Sequence, residues 1–179
     1  MDILDVIRAT WDVAAFRDEP VDEATLRDVL ETLRWTPSAA NTQPWEVYVV
    51  QDPERKRALD RCLLDAMMTA ATGGTDVSEA PAALVLALDV KRAGARYGEI
   101  GRSLLGVQDA AVALAHLRLA AAERGLRTRW IREVELNDAA RALGMPRSHR
   151  AVALIVLGWG DPPDGGAPVM PVDDWLHLL

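Results

Sequence analysis

Residues 100–124 constrain the fold more than any other part of the chain. Leu104, Leu105, Val107, Val112, Leu114, Leu117 and Leu119 fall around the whole circumference of a helix, and a helix apolar on nearly every side must be covered on every side. Two more stretches demand burial. Ala82 to Asp89 and Ala151 to Trp159 are runs of Leu, Val, Ile and Ala, the pattern of strands with apolar matter on both faces. A chain of 179 residues, half of them apolar, holds one ordinary core, and 1–179 reads as a single domain. So small a chain has little left to cover the far side of the long helix, which favours a second copy as part of that cover.

The charge balance narrows the partners. A net charge of -7 and a sequence pI near 5.0 argue against nucleic acid or an anionic membrane as the main partner. The first residues carry Asp2 and Asp5 where a signal peptide carries bases, and no apolar run reaches the ~20 residues needed to cross a bilayer, so the expected location is cytoplasmic. Cys62, lying among Leu59, Leu63 and Met67, reads as a buried, inert thiol. His116 falls inside the long helix, where a satisfied interface histidine is expected. His149 and His177 fall in a loop and the tail without ligand spacing, so no metal is expected.

The remaining elements follow from period and punctuation. Ile3 to Thr10 reads as a short amphipathic helix. Asp22 caps a helix running to about Trp35, with Leu26, Val29, Leu30 and Leu33 on one face. A strand is expected from Glu46 to Val50, then a helix from Pro53 to about Ala71 whose run Glu54-Arg55-Lys56-Arg57 is a solvated face. Thr72 to Asp76 reads as a hinge or lid loop. A short helix begins at Asn137 or Asp138, and residues 161–179 form a turn-rich linker with an apolar tail.

Between helix and strand, Trp35-Thr36-Pro37-Ser38-Ala39-Ala40-Asn41-Thr42-Gln43-Pro44-Trp45 turns twice. Asn, Ser and backbone amides in such a turn can meet the edge of a planar heterocycle. Pro37-Ser38 followed by Asn41, Gln43, Pro44 and Trp45 resembles the signature of the flavin-dependent nitroreductase family. Gln108-Asp109-Ala110-Ala111, Leu117-Arg118-Leu119, Gly125-Leu126 and Trp130-Ile131 resemble that family's dimer helix and the turn after it. Leu143 to Pro146 and Ala153 to Gly158 resemble its last strand.

This resemblance implies an α+β fold, a mixed sheet flanked by helices, in an intertwined homodimer whose tail, 161–179, crosses to the partner. It further implies FMN as cofactor, NAD(P)H as reductant and a small conjugated molecule as substrate. Pro37, Ser38, Asn41 and Gln43 would address the flavin ring, with the amides of Arg132 and Glu133 near its reactive edge.

The chain departs from the family where the flavin phosphate is held. Thr10 stands in place of an arginine, Asp12 of a serine, Ala14 of a second base, and Val169 of an arginine in the tail; Trp11 sits among them. Charge-assisted hydrogen bonds contribute ~1.5 to 3 kcal/mol each, so these losses weaken phosphate binding steeply, and Asp12 would repel the phosphate. Three readings stay open. FMN binds through a rebuilt site, for which Arg127, Arg129 and Arg132 are candidates against plain surface pairing with Glu133 and Glu135. Alternatively the groove is flavin-free and takes another ligand or partner, or Asp12 performs acid–base chemistry in the emptied pocket.

Overall fold

The computed structural model describes residues 2–13, 15–64, 77–161 and 169–178. Its centre is a four-stranded sheet in the order β1-β2-β4-β3, built from β1 (Trp45–Val50), β2 (Ala82–Asp89), β3 (Leu126–Ile131) and β4 (His149–Trp159). All three pairings are antiparallel. The α+β class holds, while the parallel pairing that a mixed sheet requires is not found among the described residues.

The two apolar runs occupy the middle of this sheet because each has two faces to bury. From β2, Leu84, Leu86 and Leu88 point with Ile155 and Leu157 of β4 toward α2 (Glu23–Glu31) and the long helix, while Ala83 and Val85 point with Leu154 and Val156 to the other side. That other side is closed by Leu59 of α3 (Pro53–Asp60), by Cys62 and Val134, and by Ala139 of α6 (Leu136–Ala142). Each fully buried Val, Leu or Ile contributes about 1.5–3 kcal/mol, which makes the two layers the main source of stability.

After β2 the chain passes through α4 (Val90–Gly94), a short helix Gly98–Ile100 and a π-helical segment Gly101–Leu105 into α5 (Gly106–Glu123). The join is tight: a Cβ on Gly101 would lie 2.2 Å from the Ala93 carbonyl oxygen. α5 stops at Gly125, whose φ of 81° suits glycine, and β3 begins at the next residue. The segment Gly98–Glu123 is long and apolar enough to cross a membrane by length and composition alone, which corrects the expectation that no segment reaches that length. In this fold its Ala110, Ala113, Leu114, Leu117 and Ala121 pack into the core against the sheet.

Other expectations need adjustment. Asp22 caps α2 by accepting from Thr25 N at 2.8 Å, but the helix tightens into a 3₁₀ turn over Thr32–Trp35. α3 ends at Asp60 rather than near Ala71. A turn over residues 61–62 and an isolated bridge of Leu63 with Val134 follow, with Leu64 N donating to Glu133 O at 2.9 Å and Glu135 N to Cys62 O at 2.8 Å; residues 65–71 lie outside the described residues. The loop expected at Thr72–Asp76 lies outside the described residues. Lys56 is not part of a solvated face; it is buried and donates to Ala80 O at 2.6 Å, and burial lowers its pKa. Cys62 is buried with its thiol pKa raised, first by desolvation. His149 opens β4 instead of lying in a loop.

Candidate active site

The loop after the 3₁₀ turn is held by α5 at two points. Thr36 Oγ1 and His116 Nδ1 share a hydrogen bond of 2.9 Å, and the Asp109 carboxylate accepts from Ala39 N at 3.0 and 3.2 Å. Between these anchors and β1 the chain turns sharply, with Ala40, Asn41 and Gln43 at φ of 51°, 53° and 44°. Such φ values in non-glycine residues are costly and persist only where surroundings impose them. Here the constraints are visible. Ser38 Oγ accepts from Gln43 N at 2.9 Å, and Gln43 Nε2 donates to Asn41 Oδ1 at 2.9 Å. Ser38, Asn41 and Gln43 are thus brought together, but partly bonded to one another. Asn41 Nδ2 has no hydrogen bond among the described residues. Pro37 is exposed beside Trp35, which is 82% exposed.

The second cluster forms where α1 (Ile3–Ala9) ends. Thr10, Trp11, Asp12 and Arg118 line an open depression of about 410 Å³. Arg118, from α5, was not singled out in the sequence as a site residue, since a base inside an apolar helix gives no sign of where it points. It is mostly buried, and desolvation lowers its pKa, opposed by Asp12. Two of its three nitrogens are engaged: Nε bonds Thr128 Oγ1 at 3.0 Å, and Nη2 bonds the Thr10 carbonyl and Asp12 Oδ1, the latter at 2.5 Å, while Nη1 has no hydrogen bond among the described residues. Asp12 Oδ1 also accepts from Trp130 N at 3.2 Å. Asp12 therefore ties α1's exit to both α5 and β3. Ala14 lies outside the described residues. Val169 lies on the exposed tail, not in the depression.

The arginines in and just after β3 differ in their surroundings. Arg127 Nη1 reaches the Ala9 carbonyl at 3.5 Å, with its buried Nε unpartnered among the described residues; Arg129 is buried; Arg132 is exposed and stacks 3.8 Å over the Trp130 ring. Neither Arg127 nor Arg132 pairs with Glu133 or Glu135 among the described residues. Arg132 lies close enough to Arg118 to lower its pKa further. The Glu133 carbonyl is used in pairing with Leu64.

Both clusters hang from α5, on opposite flanks. Asp109 and Arg118 are separated by about 13 Å along the helix axis and by about half a turn around it, while His116, about two turns beyond Asp109, shares the Asp109 flank. Between the flanks runs a strip of exposed uncharged residues, Leu104, Gln108, Ala111, Val112 and Ala115.

A third group was not visible in the sequence. Antiparallel pairing sets His149 opposite Asp89, and with Glu46 their ligand atoms lie within 4.8 Å of one another. Arg92 sits against both carboxylates, and Tyr48 Oη is 2.6 Å from His149 Nδ1. The arginine already supplies the counter-charge there.

Comparison with known proteins places this geometry in context. A model described as the nitroreductase family matches residues 7–159. An NADH dehydrogenase from Thermus thermophilus is 42% identical over 88 residues, covering 49% of this chain and 39% of the relative. A nitroreductase family protein from Streptococcus pneumoniae has a TM-score of 0.86 at 22% identity, covering 99% of this chain and 100% of its own. A protein from Exiguobacterium sibiricum, described as a nitroreductase and solved in complex with FMN, has a TM-score of 0.85 at 17% identity, covering 100% and 98%.

Proposed function

The chain belongs to the nitroreductase family of oxidoreductases, and from that premise we propose that it is a flavin-dependent reductase of a small conjugated acceptor, working as a homodimer. The observation that carries this reading is the anchored loop. Asp109 and His116 hold Ser38, Asn41 and Gln43 in a strained, preorganised turn of the kind that presents hydrogen-bonding groups to a planar ring. A bound flavin would supply the chemistry, taking a hydride from NAD(P)H and passing electrons to the acceptor. The residues of this chain would orient it. Asn41 Nδ2 offers a donor, Ser38 Oγ retains a hydroxyl proton to donate, and the backbone at Arg132 and Glu133 would border the other edge. NADH as reductant is in keeping with the name of the Thermus relative.

The two-flank arrangement on α5 supports the dimer. One chain carries the ring loop on one side of the helix and the α1 depression on the other, so a partner seated on the exposed strip would lie beside both. The exposed apolar side chains Ile3, Leu4 and Ile7 of α1, and Trp175, Leu176 and Leu178 of the tail, ask for the same cover. A dimeric, cytoplasmic enzyme is the corresponding assignment, with residues 161–179 crossing between subunits.

The residues present suit a flavin ring better than they suit FMN's phosphate, because the depression shows a carboxylate where a dianion would sit. The test is to purify the protein, record its visible spectrum, and titrate it with riboflavin and with FMN. A yellow protein, or quenching of flavin fluorescence with micromolar or tighter affinity together with flavin-dependent NAD(P)H oxidation, is expected. A colourless protein indifferent to both flavins would contradict the reading and favour the flavin-free alternative.

A further inference from the structure

We propose that the depression at Thr10, Trp11, Asp12 and Arg118 selects a flavin whose side chain ends in an uncharged hydroxyl group, so that the protein takes a riboflavin-type cofactor in preference to FMN. The proposal rests on the flavin-dependent reading above and specifies which flavin.

The argument is one of what the pocket presents. Among the described residues Arg118 is its only lining cation, and the bonds that Arg118 makes, through Nε and Nη2, go to the Thr10 carbonyl, Thr128 Oγ1 and its own counter-ion Asp12. The side chain of Arg118 is 16% exposed and that of Asp12 is 44%, so the carboxylate is the group that faces the ligand and the guanidinium lies behind it. Asp12 Oδ1 already accepts two donors, from Arg118 and Trp130 N, whereas Oδ2 has no partner among the described residues. An unpartnered carboxylate oxygen at the edge of a cleft calls for a hydrogen-bond donor, which an alcohol supplies and a phosphate dianion does not. The carbonyls at the end of α1 draw the nearby guanidinium groups to the protein's own backbone, since the Ala9 and Thr10 oxygens accept from Arg127 and Arg118. Arg132 lies outside the lining, on the Trp130 face. With one anion and one cation lining it, the pocket has no net charge to offset the desolvation of a phosphate. A polyol loses little on entry, and Trp11 offers it an apolar wall.

The experiment is a fluorescence titration of the purified full chain with riboflavin and with FMN, repeated on Asp12→Asn. That variant keeps the shape of the side chain and an acceptor for Trp130 N while removing the charge. The wild type is expected to bind riboflavin about tenfold or more tightly than FMN, since a like charge beside the phosphate opposes binding. Asp12→Asn is expected to raise FMN affinity by about tenfold and to leave riboflavin affinity within about threefold. FMN binding more tightly than riboflavin in the wild type would overturn the proposal and indicate that the arginines of β3 and α5 form a relocated anion site. An FMN-to-riboflavin ratio unchanged by Asp12→Asn would overturn it as well. If neither flavin binds, the flavin-dependent reading falls, and this proposal with it; an FMN preference overturns this proposal alone.

Discussion

The loop after α2 and the exit of α1 are both fastened to α5, yet they are built on opposite principles. The loop spends α5 side chains on its own backbone: Asp109 takes Ala39 N, His116 takes Thr36, and the side chains of Ser38, Asn41 and Gln43 fix the turn that displays them. At the α1 exit, α5 contributes a cation that a carboxylate of the pocket itself consumes. One region is preorganised with groups left to offer. The other pairs its lining cation with its own carboxylate, leaving Asp12 Oδ2 unbonded among the described residues. In the proposed reading, the half that would recognise a ring is kept while the half that would recognise a charge is recast, which separate flanks of one helix allow.

Mutations should separate the two regions. The largest effect is expected at Asp109→Ala. Releasing Ala39 N would let the strained turn relax, costing about 1–3 kcal/mol of stability and, through misplacement on the order of 1 Å, as much as about a hundredfold in kcat/KM. Asp109→Asn, which keeps an acceptor, should restore most of the activity; paired kinetic and thermal unfolding measurements would show this. Equal activity in all three proteins would mean the loop needs no anchor. Next, Arg118→Met strips the Thr10 carbonyl, Thr128 Oγ1 and Asp12 of a shared donor and should lower the urea unfolding free energy by about 1–3 kcal/mol. Hydrogen exchange at the Ala39 amide should be unaltered under conditions where the protein stays folded, and faster exchange there would show that the two flanks are coupled. Smallest, Thr36→Val removes one partly buried bond to His116 and should cost about 1 kcal/mol by the same measure.

The sequence made the framework legible because burial leaves a repeating mark. The strand Ala82–Asp89 stands at the residues that its apolar run indicates, and Asp22 caps α2 as its position suggests. The loop at Trp35–Trp45 was legible from its prolines and small polar residues. What stayed hidden depends on long-range geometry. Arg118 sits among alanines and leucines, and only the fold shows it reaching Thr10 and Asp12 from α5. The end of α3 at Asp60 is set by backbone pairing with Glu133 and Glu135, which no local pattern in Pro53–Ala71 announces. Lys56 looked like one charge in a polar run, but its long stem carries the ammonium inward to two carbonyls. The meeting of Glu46, Asp89 and His149 likewise depends on strand register.

The central claim is that α5 carries two half-sites that only a second chain can complete. Ala115 lies exposed on the strip between the flanks, outside both clusters, and arginine is a good helix former, so Ala115→Arg should spare the fold of the single chain while obstructing a partner helix. Sedimentation velocity combined with flavin titration of this variant tests the claim most directly. The account predicts a folded monomer that no longer retains flavin. A folded monomer that binds flavin with the affinity of the unmodified protein would contradict it.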